Sequence, residues 1–216
     1  MDISHLLAGT KILKKVKSPI NGELTVVRDI AWGTYIKGGG LTQSGGVAKK
    51  VWETSLHEAK KGKFKVKSAL VLGLGGGAIV EVIEDNWSEA HVVGVDLDEI
   101  IVNLGKKYLS LSKTRPEIHI ADAEDFIEAQ GKEKKKFDLV CIDTYLGDQF
   151  PKKFETNKFI SSIKTILNKE GKAVFNRLYY DEKKHLAHAF FEKLEKVFTR
   201  VEAVRPEANI MYICSK

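Results

Sequence analysis

Apolar and polar positions change their period along the chain. From residue 68 onward, short runs dense in valine, isoleucine and leucine, at 68–72, 91–95, 117–120, 137–142 and 172–175, predict strands. Segments near 77–85, 98–109, 122–129, 156–168 and 182–198 carry apolar residues at helical spacing. In 156–168 the residues Phe159, Ile160, Ile163, Ile166 and Leu167 share one side. In 182–198 Leu186, Phe190, Leu194 and Val197 do the same. Strands alternating with helices through short connections predict a parallel sheet covered by helices on both faces. The alternation stops near the end of the chain. Val201–Val204 and Ile210–Cys214 are strand-like runs joined by a short loop with Pro206 and Asn209. No helix fits between them, so they are expected to pair antiparallel.

Residues 12–45 read differently. Leu24-Thr-Val-Val-Arg28 and Thr34-Tyr-Ile-Lys37 are short and β-branched or aromatic, and Asn21-Gly22, Gly33 and Gly38-Gly39-Gly40 separate them. This predicts a small β-meander. Val47 to Lys61 then predicts a helix with Val51, Trp52, Leu56 and Ala59 near one face. The expected organisation is a small N-terminal β-region over residues 1–46 and one α/β domain over residues 47–216. The fold class expected for the larger part is α/β: a doubly wound, mostly parallel seven-stranded sheet ending in an antiparallel hairpin. That form matches the fold of methyltransferases that use S-adenosylmethionine. An ordinary dehydrogenase fold would continue with another crossover helix.

The first strand of the alternating part runs into a glycine turn, Gly73-Leu-Gly75-Gly76-Gly77, and the second ends in Asp96-Leu97-Asp98. Glycines let a backbone turn sharply and approach a ligand, and the next helix offers free N–H groups there. An acid about 20 residues beyond such a turn is placed to accept from ribose hydroxyls. Ligands of open α/β sheets bind beyond the carboxyl ends of the strands. The third and fourth strands add Asp122 and Asp143 at those ends, and Asp143 is followed by Thr144, Tyr145 and Asp148. Each of these has a plainer reading. Glycines can serve a turn alone, Asp98 and Asp122 suit helix N-caps, and Asp143 could be solvated. A nicotinamide enzyme satisfies the loose glycine fingerprint. Against it stand the missing substrate domain, the second acid at Asp122 and the terminal hairpin.

Composition changes this picture little. The 216 residues suffice for one large domain with a small appendage, and no stretch is apolar for long enough to span a bilayer. Met1 to Thr10 has no basic start and no long apolar core, so no secretory leader is expected. Cys141 and Cys214 lie in strand-like runs and are expected to be buried free thiols. A cytoplasmic location follows as an expectation. Net charge is +6, but the excess falls in Lys60–Lys67 and Lys132–Lys136, which read as solvated loops; Phe64 is the single aromatic among these lysines, short of the row a stacking platform requires. Neither a membrane nor a nucleic acid is therefore expected as partner. No Cys/His grouping suggests a metal, and His185 and His188 read as surface residues.

Taken in order, these motifs resemble the polyamine aminopropyltransferases, the spermidine synthase branch of the methyltransferase fold. The resemblance runs over Gln43-Ser44-Gly45, the helix at 47–61, the glycine turn, Val95–Glu99 and Lys106–Leu109. It continues through Asp122–Phe126, Phe137–Asp143 and Met211–Lys216. It implies that Asp96, with Leu97 beside it, holds the ribose, and that Asp122 and Ala123 take the adenine. It implies that Gly73, Gly75 and Gly77 form the donor turn and that Gln43 lies near the donor pocket. Asp143 falls where the family binds and deprotonates the attacking amine, and Tyr145 could orient the acceptor or simply pack. A homodimer through the N-terminal region is also implied.

Two positions depart from the family. The turn of the family carries an acid that binds the aminopropyl ammonium of decarboxylated S-adenosylmethionine, and the aligned residue here is Gly76. Thr144-Tyr145-Leu-Gly-Asp148 replaces the usual Ser-Ser-Asp-Pro. Both departures lie on the amine side. Losing the acid removes an attraction for the decarboxylated donor and a repulsion against the carboxylate of S-adenosylmethionine. A buried charge pair contributes about 2–5 kcal/mol when one partner is removed. The expectation is methyl transfer from S-adenosylmethionine to a small acceptor, with a cationic amine as the candidate and Asp143 as base. The alternatives are aminopropyl transfer and a nucleoside-binding protein without catalysis.

Overall fold

The structure is a computed structural model that describes residues 9–216. Residues 1–8, on which the expectation about a leader bears, lie outside those described. Four antiparallel strands come first and lie side by side in chain order: β1 (Thr10–Ser18), β2 (Gly22–Asp29), β3 (Gly33–Gly38) and β4 (Leu41–Gly45). β2 and β3 contain the two runs that stand out in the sequence. β1 is an edge strand whose exposed positions are mostly lysines, which discourage pairing with another chain. α1 (Gly46–Ala59) follows at once and buries Val51, Trp52, Leu56 and Ala59.

The larger sheet is built from β5 (Ser68–Leu72), β6 (His91–Asp96), β7 (Glu117–Ile120), β8 (Phe137–Ile142), β9 (Leu167–Leu178), β10 (Arg200–Val204) and β11 (Asn209–Ser215). Between them come α2 (Ala78–Asn86), α3 (Glu99–Tyr108), α4 (Leu111–Thr114), α5 (Ala123–Lys132), a 3₁₀ turn at Lys152–Glu155, α6 (Asn157–Ile166) and α7 (Lys183–Val197). The spatial order is β10-β11-β9-β8-β5-β6-β7, with β5 to β9 parallel and β11 antiparallel to both neighbours. The fold class read from the sequence is the one observed. The chain leaves β5 toward β6 and β7, then returns to β8 on the other side. β5 and β8 thus flank the switch point where a ligand crevice opens in sheets of this kind.

Both faces of the sheet are buried, which is why its strands read as continuous apolar runs. Ala69 and Val71 face a layer containing α1, α2 and α3, whereas Leu70 and Leu72 face α5, α6 and α7. Two readings shift. β9 starts directly at the end of α6, so Leu167 belongs to the strand, and β9 is longer than 172–175. On α7 the buried residues are Ala187, Phe190 and Leu194, while Leu186 is 52% exposed. Ala187, Phe190 and Leu194 follow i, i+3, i+7 spacing, and Leu186 sits about 100° away from Ala187 around the helix. Cys141 and Cys214 are buried and free, and burial pushes both thiols well up. Among the described residues no helix is long and apolar enough to cross a membrane, and no group of side chains could hold a metal ion.

The small sheet is bound to the large one through a buried carboxylate. Asp98 caps α3 by accepting from the Ile100 N–H at 2.9 Å. Its other oxygen accepts from Ser18 Oγ at 2.5 Å and Asn21 Nδ2 at 2.6 Å. The capping role suggested by the sequence is therefore combined with a tie between β1 and α3.

Candidate active site

A cleft of about 360 Å³ opens at the switch point, within the size range of small-molecule sites. Its floor is the carboxyl ends of the parallel strands. Of the residues singled out from the sequence, Gln43, Gly73, Gly75, Asp96, Leu97, Asp122, Ala123, Asp143 and Tyr145 all line it. Gly77 does not. It caps α2 at a φ of 89°, and a Cβ there would lie 2.5 Å from Leu111 Cδ1.

The glycine turn is shaped by close approach. Gly73 has a φ of +83°, and a Cβ on it would lie 2.1 Å from the Asp143 carbonyl oxygen. No other residue allows β5 and β8 to end this close together. Gly76 is not among the residues that line the cleft. A Cβ there would meet Leu109 Cδ1 at 2.7 Å, Ile36 Cδ1 at 2.9 Å and Ser44 Oγ at 3.0 Å. The missing carboxylate at this position is thus matched by a packed surface with no room for a side chain.

Asp96 ends β6 with both oxygens engaged. Oδ2 accepts from the Gly75 N–H at 2.6 Å and Oδ1 from the Asp98 N–H at 2.8 Å. Burial pushes its carboxyl above the ordinary value, against the pull of those two N–H groups. Each oxygen keeps a lone pair for a further donor. Asp122 caps α5 by accepting from the Glu124 N–H at 2.9 Å, and its Oδ2 accepts from the Lys153 ammonium. Burial pushes this carboxyl up, but the Lys153 ammonium and the Glu124 N–H outweigh it and hold it below the usual range.

Asp143 stands at the end of β8 between two donors. Trp52 Nε1–H donates to Oδ2 at 2.8 Å and Asn176 Nδ2 donates to Oδ1 at 2.8 Å. Asn209 Nδ2 in turn donates to Asn176 Oδ1 at 2.7 Å. A carboxylate only accepts, so this chain fixes which way the Asn176 amide points. Burial raises the Asp143 carboxyl, opposed by the Trp52 and Asn176 hydrogen bonds. Tyr145 accepts from the Leu178 N–H at 2.7 Å and stacks edge-on with Phe150. Burial pushes its phenol up to about 12, so it stays protonated and can donate into the cleft. Thr144 Oγ1 is buried without a hydrogen-bond partner. Asp148 is not part of the cleft lining. It is ion-paired with Lys183 at 2.8 Å and so is neutralised.

Several cleft residues were not legible as such. Trp52 reads as a core residue of α1, and only its indole N–H betrays a polar task. Asn176 and Asn209 sit at the ends of strands that the sequence marks by their apolar parts. Lys153 and Glu207 come from connections whose course over the cleft follows from the tertiary fold.

A family model described as spermine/spermidine synthase domain matches residues 49–213. A polyamine aminopropyltransferase of Vibrio vulnificus is 26% identical over 113 residues, covering 52% of this chain and 38% of that protein. A Drosophila melanogaster homologue of the eEF1A lysine and N-terminal methyltransferase is 29% identical over 151 residues, covering 67% of this chain and 22% of that protein. The chain therefore matches less than half the length of either relative. Among solved structures, spermidine synthase from Thermotoga maritima superposes with a TM-score of 0.75 at 18% identity, over 95% of this chain and 73% of that one. Human methyltransferase-like protein 13 in complex with SAH superposes with a TM-score of 0.64 at 23% identity, over 77% of this chain and 81% of that one. At these identities the superpositions speak for the fold.

Proposed function

The chain belongs to the spermine/spermidine synthase domain family, and from that premise we propose that it is a transferase using S-adenosylmethionine, which methylates an amine in this cleft. The observation that carries the reading is the convergence of Asp96, Asp122 and Asp143 with the glycine turn on one cleft. Asp96 is set to accept from ribose hydroxyls. Asp122 is set to accept from the adenine amino group, with the free N–H of Ala123 beside it at the start of α5. A human structural neighbour of this fold is described in complex with SAH. When bound, the sulfonium supplies an electrophilic carbon that a nucleophile takes as the carbon–sulfur bond breaks, its electron pair staying on sulfur.

The chain's own task is to position the acceptor and take its proton. Asp143 is the base. Its raised affinity for protons suits it to that step, while Trp52 and Asn176 hold its oxygens in place. Tyr180 and Leu178 offer aromatic and aliphatic walls, and Glu207 adds a second negative charge on this side. A cationic alkylamine fits such a lining.

The glycine turn Gly73–Gly77 carries no carboxylate to meet a bare ammonium, which favours methyl over aminopropyl transfer. The aminopropyl reading has its own support in the polyamine aminopropyltransferase relative. The products separate the two. Purified protein is incubated with each donor and a panel of alkylamines and lysine peptides. S-adenosylhomocysteine formed from S-adenosylmethionine supports the proposal. Methylthioadenosine formed only from the decarboxylated donor overturns it in favour of aminopropyl transfer.

A further inference from the structure

Lys153 lies in the 3₁₀ turn after β8, far along the chain from the glycine turn and from Asp96, yet it lines the same cleft. Its ammonium is bonded to Asp122 Oδ2, while Asp122 Oδ1 accepts from the N–H of Glu124. The lysine is partly exposed, at 42% for its side chain, and it extends over the Phe154 ring with the ammonium 4.9 Å from the ring centre. A cation is thus held at one edge of the Asp122 carboxylate, inside a slot whose other walls include Leu97, Ala123 and Pro151.

Three groups meet in that slot around Asp122. The N–H of Ala123, first residue of α5, has no acceptor within its helix and is a donor. The Asp122 carboxylate beside it is an acceptor. The Lys153 ammonium on the far oxygen is a second donor. The sequence donor–acceptor–donor complements an acceptor–donor–acceptor edge. Adenine presents that pattern, with N1, the N6 amino group and N7 in order.

We propose that Lys153 is a specificity-determining residue that reads N7 of the adenine ring, completing a three-point recognition with Asp122 at N6 and Ala123 at N1. This rests on the reading of the cleft as an adenosyl site. It assigns to Lys153 a direct contact with the base in addition to its bond with Asp122. An ammonium has three protons, so one can stay on Asp122 while another reaches N7.

The test is a cycle between the protein and the ligand, read by calorimetry. The ligands are S-adenosylhomocysteine and its 7-deaza analogue, in which N7 is replaced by C–H. The proteins are the unmutated chain, Lys153→Met and Lys153→Arg. The unmutated protein is expected to bind the 7-deaza analogue about tenfold or more weakly than S-adenosylhomocysteine, the loss typical of a hydrogen bond to a charged donor. Lys153→Met is expected to lose that discrimination and bind both ligands with equal, weakened affinity. Lys153→Arg keeps a cationic donor and is expected to restore part of the difference. A merely structural tie between Lys153 and Asp122 would weaken both ligands by the same factor and leave their ratio unchanged. An unchanged ratio in Lys153→Met, with the unmutated protein binding S-adenosylhomocysteine, overturns this inference alone. Failure of the unmutated protein to bind S-adenosylhomocysteine overturns the adenosyl reading and this inference with it.

Discussion

Replacing Trp52 by phenylalanine removes one of the two donors to Asp143 and leaves an aromatic ring in the core. The indole N–H lies 2.8 Å from Asp143 Oδ2, and Trp52 is 1% exposed, so water does not readily take its place. A hydrogen bond to a charged group contributes roughly 1.5–3 kcal/mol. Each 1.36 kcal/mol that favours the ionised over the protonated carboxyl corresponds to about one pKa unit. Burial already raises the Asp143 carboxyl, and the indole opposes that rise. Trp52→Phe should therefore lift the Asp143 pKa further, by about one to two units. If Asp143 must be ionised to accept a proton, activity falls on the acid side. The acidic limb of the kcat/KM profile should then move to higher pH by the same one to two units. The smaller ring also leaves a void, so the variant should be less stable by about 1–3 kcal/mol. A melting curve reports that loss separately. The assay is the pH dependence of kcat/KM for the variant against the unmutated chain, within the range where both remain folded. A uniform drop at every pH with the limb unmoved would refute the link between the indole and the base.

Asp96→Ala should weaken binding of S-adenosylhomocysteine by about 10- to 100-fold through loss of a charged acceptor for the ribose, and unchanged affinity by calorimetry would contradict the ribose assignment. Gly76→Ala should lower the melting temperature, because its Cβ would lie 2.7 Å from Leu109 Cδ1 and 2.9 Å from Ile36 Cδ1; a melting curve that does not move would show that the packed surface yields easily. Asp138 accepts from the N–H groups of Lys67 and Ser68, from Ser68 Oγ and from Asn168 Nδ2. Burial pushes its carboxyl up, and those donors outweigh burial and hold it below 3.8. Asp138→Ala should cost about 2–4 kcal/mol near neutral pH. A lowered folded-state pKa stabilises above the unfolded value, so the difference between unmutated and variant chains should shrink as pH falls below about 3.8. Denaturant melts at several pH values read this directly, and a pH-independent difference would argue against the ionised carboxylate as its source.

The parallel sheet was legible because both of its faces are buried, which writes each strand as an apolar run. The acids at the strand ends were legible because polar residues there interrupt such runs. β1 was obscured by the lysines that protect its edge. The polar network behind Asp143 was hidden for a different reason. Trp52, Asn176 and Asn209 come from three elements distant in sequence, and each presents a local pattern that core packing or strand termination already explains. Gly76 shows the limit of motif comparison. Alignment sees a missing acid, whereas the structure shows Ile36 from the small N-terminal sheet and Leu109 from beyond α3 closing on the position.

The most direct test of the central claim is calorimetric titration of the unmutated protein with S-adenosylmethionine and, separately, with its decarboxylated form. Both are expected to bind through the shared adenosine, the carboxylated donor more tightly. Preference for the decarboxylated donor would contradict the methyl-transfer reading, and binding of neither would contradict the adenosyl site itself.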